Sequence, residues 1–180
     1  MKLTNLLIYP IFFIFNHLSF RVILPKNIRR KVDFIRTKLI MLMGSRIGKD
    51  VYFSKNFFTT NFENLSFGDN GTIGMNCEFY SYDKITIGDN FLIGSNVVIH
   101  TAEHIFSDST KPIIEQGSIY KHVSIGDNVY LGSGVTIISG VKIYDNVIVG
   151  SGGVVTKDLE SGWIYGGNPV KKIKRLYSEE

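Results

Sequence analysis

From Ile125 onward an apolar residue returns at every sixth position: Ile125, Leu131, Ile137, Ile143, Val149 and Val155. Upstream the same step runs through Ile47, Phe53 and Thr59, then Phe67, Ile73 and Phe79, then Ile87, Ile93 and Ile99. Each of those trios starts twenty residues after the one before it. The fourth residue after an anchor is often small or β-branched, as at Val51, Cys77, Val97, Val129, Val135, Val141 and Val147, and Gly-Asp-Asn recurs at 68–70, 88–90 and 126–128. Six residues are too few for a helical repeat or a hairpin. They suit a short strand plus a turn, with three units closing a triangular coil of roughly eighteen residues whose anchors point inward. Each such coil buries its apolar side chains only against its neighbours, so the architecture is a β-solenoid of roughly five coils. Gly, Asp and Asn at the corners supply the backbone freedom that tight turns need.

The beat stops once, in "VVIHTAEHIFSDSTKPIIEQGSIYKHV" from Val97 to Val123. A segment that leaves a rigid solenoid and returns in frame, here residues 101–122, is a loop mounted on a scaffold, and loops of that length carry function or are disordered. Phe106, Pro112, Ile113 and Ile114 make this one too apolar for a free linker, so it is expected to pack against something. The chain therefore divides into an N-terminal segment (1–44), the solenoid with its inserted loop (45–160) and a C-terminal tail (161–180).

The formal charge of +4 conceals an asymmetry. Residues 1–50 carry ten Lys or Arg against Asp33 and Asp50, a net of +8, whereas residues 51–180 carry a net of −4. The basic end also holds the longest apolar run, "LLIYPIFFIF" from Leu6 to Phe15, which is too short to span a bilayer and is interrupted by Pro10. Basic charge beside apolar residues fits contact with an anionic membrane surface; a helix packed on the protein itself or on a neighbouring subunit fits equally. In "NIRRKVDFIRTKLIMLMG", Ile28, Val32, Ile35, Leu39 and Leu42 fall at helical spacing, closed by Gly44. This predicts an amphipathic helix that caps the open edge of the first coil with those side chains. "VKKIKRLYSEE" predicts a short terminal element, and the single Cys77 excludes an internal disulfide framework.

The hexad pattern, together with "EHIFSDSTKPIIEQG", "VSIGDNVYLGSGVTIISGVKI", "GSGGVVTKD" and "IYGGNPVKKIK", resembles the hexapeptide-repeat acyltransferases over about residues 44–176. The nearest pattern is that of the sugar O-acetyltransferases of surface polysaccharide and lipopolysaccharide synthesis. Departures at Tyr130, Ile138, Tyr144, Glu160 and Val170 remove no chemical group. The resemblance implies an all-β solenoid wound as a left-handed parallel β-helix, a homotrimer whose inserted loop packs over the neighbouring subunit's cleft, and acetyl-CoA as co-substrate. It also implies a cytoplasmic protein, peripheral at the inner face of the membrane where the N-terminus contacts it. N-acetylation of an amino sugar nucleotide and a non-catalytic, membrane-recruited module are the alternatives. Nothing suggests a nucleic-acid partner or a metal, because His100, His104 and His122 lack the spacing of a zinc triad.

Transfer of an acyl group from a thioester to a hydroxyl needs a base, and imidazole accepts a proton at neutral pH. His104 matches the family's catalytic histidine within "HIF". The backbone N–H of Ser133, in "LGSG", is by the same resemblance the donor to the oxyanion of the tetrahedral intermediate. Glu103, Asp108 and Glu115 are the carboxylates that could orient the imidazole. His100, Asp108, Glu115 and Gln116 are expected to line the acceptor cleft, while His122 and His17 read as structural. Gly150, Ser151 and Gly152, with Lys157, Asn168, Lys171, Lys172 and Lys174, are expected to hold coenzyme A: close backbone approach for pantetheine, positive charge for phosphates.

Overall fold

The computed structural model describes residues 3–17 and 26–177. Helices α1 (Leu3–His17) and α2 (Lys26–Leu42) precede a left-handed parallel β-helix with three sheets. Two sheets hold five strands each. The third has seven, because Trp163–Gly167 adds in parallel to Ile148–Val149 and Val170–Arg175 folds back antiparallel on it. Fourteen of the fifteen hexad anchors are buried, Phe53, Ile73, Phe79 and Ile99 completely; Ile47, at the solenoid's open start, is half-buried. Aromatic anchors fill the wide first coils, where Phe53 packs edge-on against Phe57 at 4.8 Å and against Phe67 at 5.2 Å.

The Gly-Asp-Asn corners work as one device between coils. Asp69, Asp89, Asp127 and Asp145 each accept a hydrogen bond at Oδ1 from a backbone N–H of the coil before, at 2.7–2.8 Å. The carboxylate lies over the glycine of that preceding coil, so a Cβ on Gly48, Gly68, Gly88 or Gly126 would run into it. The Asn that follows adopts the left-handed conformation, with φ of 54–58° at Asn70, Asn90, Asn128 and Asn146. Their amides form ladders, for example Asn128 Nδ2 to Asn146 Oδ1 at 2.8 Å.

Equivalent residues are twenty apart in the first coils and eighteen apart in the last, and thirty-eight apart across the insertion. The extra residues of the early coils all lie at one corner, between the sheet containing Phe58–Thr59 and the sheet containing Leu65–Phe67, where a 3-10 turn (Phe62–Asn64) fits. The inserted segment leaves from that same corner. It is rooted as an antiparallel ribbon in which Ala102, Glu103 and His104 face Tyr120, Ile119 and Ser118.

The helices cap the first coil, but α2 is turned differently from the sequence expectation. Of the five expected side chains Leu39 is buried and Val32 half-buried, but Ile28, Ile35 and Leu42 are exposed, and Arg36, Thr37, Ile40 and Met43 face inward beside Leu39. The cause is the polar edge they meet. The first coil's strands present backbone groups that must be paired when covered. Arg36, 1 % exposed, donates from Nη1 to Phe53 O at 2.7 Å and from Nη2 to Phe15 O at 2.8 Å, and its charge is balanced by Asp33 at 2.6 Å. Thr37 Oγ1 donates to Val51 O at 3.0 Å. From α1, Asn16 pairs with the backbone of Phe57 in both directions, each bond 2.9 Å.

α1 buries Phe12, which meets Phe62 edge-on at 5.5 Å, and leaves Ile11, Phe13 and Ile14 exposed. Among the described residues no helix is long and apolar enough to cross a membrane.

Arg36 ties both α1 and the first coil to α2. Arg36→Ala is expected to lose about 2–5 kcal/mol in urea unfolding, since two carbonyls and Asp33 lose their partner together. Protease cleavage within residues 3–17 should appear before the solenoid unfolds. Unchanged stability together with an uncut helix would remove Arg36 from this role.

Candidate active site

The ribbon that carries the inserted loop fixes His104. Because His104 pairs with Ser118 across the ribbon, the two side chains emerge on one face, and Ser118 Oγ lies 3.2 Å from His104 Nδ1. With the hydroxyl accepting from Nδ1–H, the lone pair of the imidazole is at Nε2, which is the tautomer a general base needs. His104 is exposed.

None of the three carboxylates weighed as orienting groups bonds to His104; two are engaged elsewhere and the third is exposed. Glu103 pairs with Lys121 at 3.2 Å. Asp108 Oδ1 accepts from Thr110 N and Oγ1 at 2.9 and 2.6 Å, which holds its carboxyl below the usual carboxylate range. Glu115 stands exposed in a short 3-10 turn (Ile113–Glu115). Gln116 buckles the loop: Nε2 donates to Asp108 O at 2.8 Å and to Lys111 O at 2.9 Å, and Oε1 accepts from Asp108 N. Asp108 and Gln116 thus shape the loop with the groups expected to face an acceptor. Ser118 was missing from the sequence reading, and only the register of the ribbon reveals it.

The other histidines separate cleanly. His100 points outward from its strand and stacks on Tyr80, centroids 5.0 Å apart and planes 6° from parallel. His122 Nε2 bonds to Thr86 Oγ1 at 2.8 Å, anchoring the returning coil. His17 takes Phe13 O at 2.8 Å within α1.

Ser133 lies at a different corner, between the sheets of Tyr130–Leu131 and Thr136–Ile137. Ser95 Oγ accepts from Met75 N and Ser133 Oγ accepts from Ser95 N, at 3.2 and 3.3 Å. The ladder stops there: among the described residues no protein acceptor takes the Ser133 N–H, which sits at an exposed residue. Gly150, Ser151 and Gly152 continue this corner one coil on, where Gly152 N donates to Ser133 O at 2.9 Å and the space a Cβ would enter at Gly152 is open.

Lys171, Lys172 and Lys174 lie on the last strand and Lys157 on the bend after Val154–Val155, all exposed; Asn168 is in the tight connection between Trp163–Gly167 and Val170–Arg175. The lysines are not equivalent. Lys172 is paired with Glu160 at 2.7 Å, and Lys172 and Arg175 both cover the ring of Trp163, at 4.5 and 4.1 Å from its centroid.

One chain does not bring all of these groups together. His104 leaves the solenoid from one corner, and Ser133 with the glycines occupies another.

The repeat and the fold are shared with known proteins. Residues 122–157 match the bacterial transferase hexapeptide (six repeats) family, and residues 65–101 match the hexapeptide repeat of succinyl-transferase. A galactoside O-acetyltransferase of Lactococcus lactis is 33% identical over 142 residues, covering 77% of this chain and 67% of that protein. The crystal structure of a maltose O-acetyltransferase from Clostridium difficile superposes with a TM-score of 0.79 at 29% identity, over 97% of this chain and 87% of that one. A galactoside acetyltransferase in complex with coenzyme A gives 0.78 at 27% identity, over 97% and 81%. The chain spans 27% and 59% of the length of two further curated acetyltransferases that it matches. Repeat, solenoid and relatives converge, and the chain belongs to the hexapeptide-repeat transferase family.

Proposed function

We propose that this protein is an acetyl-CoA-dependent O-acetyltransferase acting on a sugar hydroxyl of a surface polysaccharide or lipopolysaccharide precursor, with His104 as general base. The observation that carries the reading is the Ser118–His104 pair, which presents an accessible Nε2 from a fixed ribbon. The relatives named for galactoside and maltose acetylation support the sugar acceptor, and the coenzyme A complex of one of them supports the donor.

In this reading Nε2 takes the proton of the acceptor hydroxyl as its oxygen attacks the thioester carbonyl. Ser118 balances the imidazolium through Nδ1–H. The oxyanion accepts from the Ser133 N–H, and collapse of the tetrahedral intermediate expels the thiolate of coenzyme A, which takes the proton back from His104. A positioned base contributes about 10²–10⁴-fold and one oxyanion donor about 10²–10³-fold. Pantetheine runs along Gly150, Ser151 and Gly152. Lys157, Asn168, Lys171, Lys172 and Lys174 meet the nucleotide end, with Lys171 and Lys174 more available to phosphates than the paired Lys172.

Since His104 and Ser133 occupy different corners, the site is completed between copies of a homotrimer, the loop of one copy reaching the Ser133 corner of the next. Phe106 and Ile114, 75 and 88 % exposed at the loop tip, are then covered by the neighbour. The outward side chains Ile11, Phe13 and Ile14, next to the basic N-terminal half, contact an anionic membrane surface at its cytoplasmic face.

His104→Ala should lower turnover by about 10²–10⁴-fold with acetyl-CoA binding retained. The mass by light scattering should stay that of a trimer, because the side chain fills no part of the core. Near wild-type transfer by this variant would overturn the assignment, and a monomeric wild-type protein would overturn the shared site.

Replacing Lys171 and Lys174 together by Ala should raise the KM for acetyl-CoA more than the KM for acceptor. It should also flatten the salt dependence of coenzyme binding. Equal effects on both substrates would place the nucleotide elsewhere.

A further inference from the structure

Three features not used by the chemistry above lie end to end. A groove of about 380 Å³ opens between α1 and the first coil, lined by Tyr9, Phe12, Phe13, Phe58 and Phe62 among others, with no Lys, Arg, Asp or Glu among its described lining residues. Phe58, half exposed at its mouth, meets Tyr80 edge-on at 5.7 Å. Tyr80 in turn stacks flat on His100 of the next coil. His104 follows His100 by four residues, on the ribbon that leaves this same sheet. Aromatic rings thus run in file from the helix groove to the base of the catalytic ribbon.

The file changes character along its length. At the α1 end it is uncharged and aromatic. At Tyr80 it becomes amphipathic, because the Tyr80 hydroxyl donates to Glu78 Oε2 at 2.7 Å and so sets a carboxylate beside two half-buried rings stacked on each other. A stacked aromatic pair beside a carboxylate suits a pyranose, whose C–H groups pack along the outward rims of the rings while its hydroxyls donate to the acid. An uncharged aromatic groove suits hydrocarbon and offers little to a sugar.

We propose that the groove and the ring file form one binding track for an amphipathic acceptor, a saccharide carrying a hydrocarbon tail. The tail lies between α1 and the first coil, and the sugar lies over Tyr80 and His100 with a hydroxyl directed to His104. The outward apolar residues of α1 and the net +8 of residues 1–50 put the tail end of the track where an anionic lipid surface would lie. This inference rests on His104 being the base and adds the class of acceptor.

The test compares methyl and octyl β-glycosides of glucose and galactose, each below its micelle threshold, by calorimetric titration and by acetyl transfer in the full-length protein. Octyl glycosides should bind about 10–100-fold more tightly than their methyl counterparts, as expected for burying part of an eight-carbon chain. Phe13→Ala and Phe58→Ala should bring that ratio towards one, while Leu42→Ser, on the outer face of α2, should leave it and the rate unchanged. Tyr80→Ala should weaken both glycosides. The track is overturned if the wild-type ratio is near one, if the ratio survives both phenylalanine substitutions, or if Phe58→Ala dissociates the oligomer, which would make the file a subunit contact. Octyl preference in titration without acetyl transfer to any sugar would keep the track and remove the transferase reading; transfer without octyl preference would do the reverse.

Discussion

Every coil of this protein depends on how closely it can sit on the next. The closeness is set at the corners, where a carboxylate crosses to the N–H of the preceding coil and lies over a glycine there. Gly and Asp are therefore two halves of one contact, separated by a full coil in sequence. Any side chain at the glycine would separate the coils and loosen the stacked anchors beneath, because a core at crystal-like density has no slack to absorb it. Asn supplies the left-handed turn that brings the chain back into line. The repeated triplet is thus a spacing device, and the apolar anchors fill the space it defines.

A scaffold so uniform leaves few places for chemistry. Two of its corners are occupied by the Asp and Ser ladders. The third carries all the length variation, and from there the chain leaves and returns as an antiparallel ribbon. That ribbon does for His104 what the coils do for the anchors: its register determines which side chain stands opposite which. Thr101 secures the root, fully buried, with Oγ1 donating to Tyr80 O at 2.8 Å and accepting from Asp83 N at 2.9 Å. His104 thus stands on a two-stranded ribbon pinned at its root.

The anchors, the interruption and the corner residues were legible because each obeys a local rule that recurs: inward position every sixth residue, small residue where coils touch, Asn where φ is positive. The inward face of α2 was not. A helix is ordinarily read by its apolar stripe, and here three members of that stripe, Ile28, Ile35 and Leu42, are exposed while only Leu39 is buried in the core. What covers the first coil must pair its backbone carbonyls, and a guanidinium that forks to Phe53 O of the coil and to Phe15 O of α1 does so where an isoleucine could not. Nothing local marks Arg36 for burial, because the carbonyls that take its guanidinium lie 17 and 21 residues away. Ser118 was invisible for a related reason. Fourteen residues separate it from His104, and nothing in the loop's composition sets that pairing before the ribbon's register is known.

The corner geometry also bears on why such a chain would assemble. Within one solenoid, the stacking that makes the fold rigid keeps its three corners apart along every coil, so no flexing of the array can carry the His104 corner to the Ser133 corner. The ribbon cannot bridge them around the outside, since its two strands return to the corner they leave and its tip is folded on itself by Gln116. In the proposed reading, a base at His104 and an oxyanion donor at Ser133 would therefore face each other across the boundary between two copies. Cyclic symmetry then produces every such pairing at once, and a closed ring leaves no ribbon without an opposing corner. The rigidity that denies the chain a site of its own is what would let three copies hold three sites to the tolerance that acyl transfer requires.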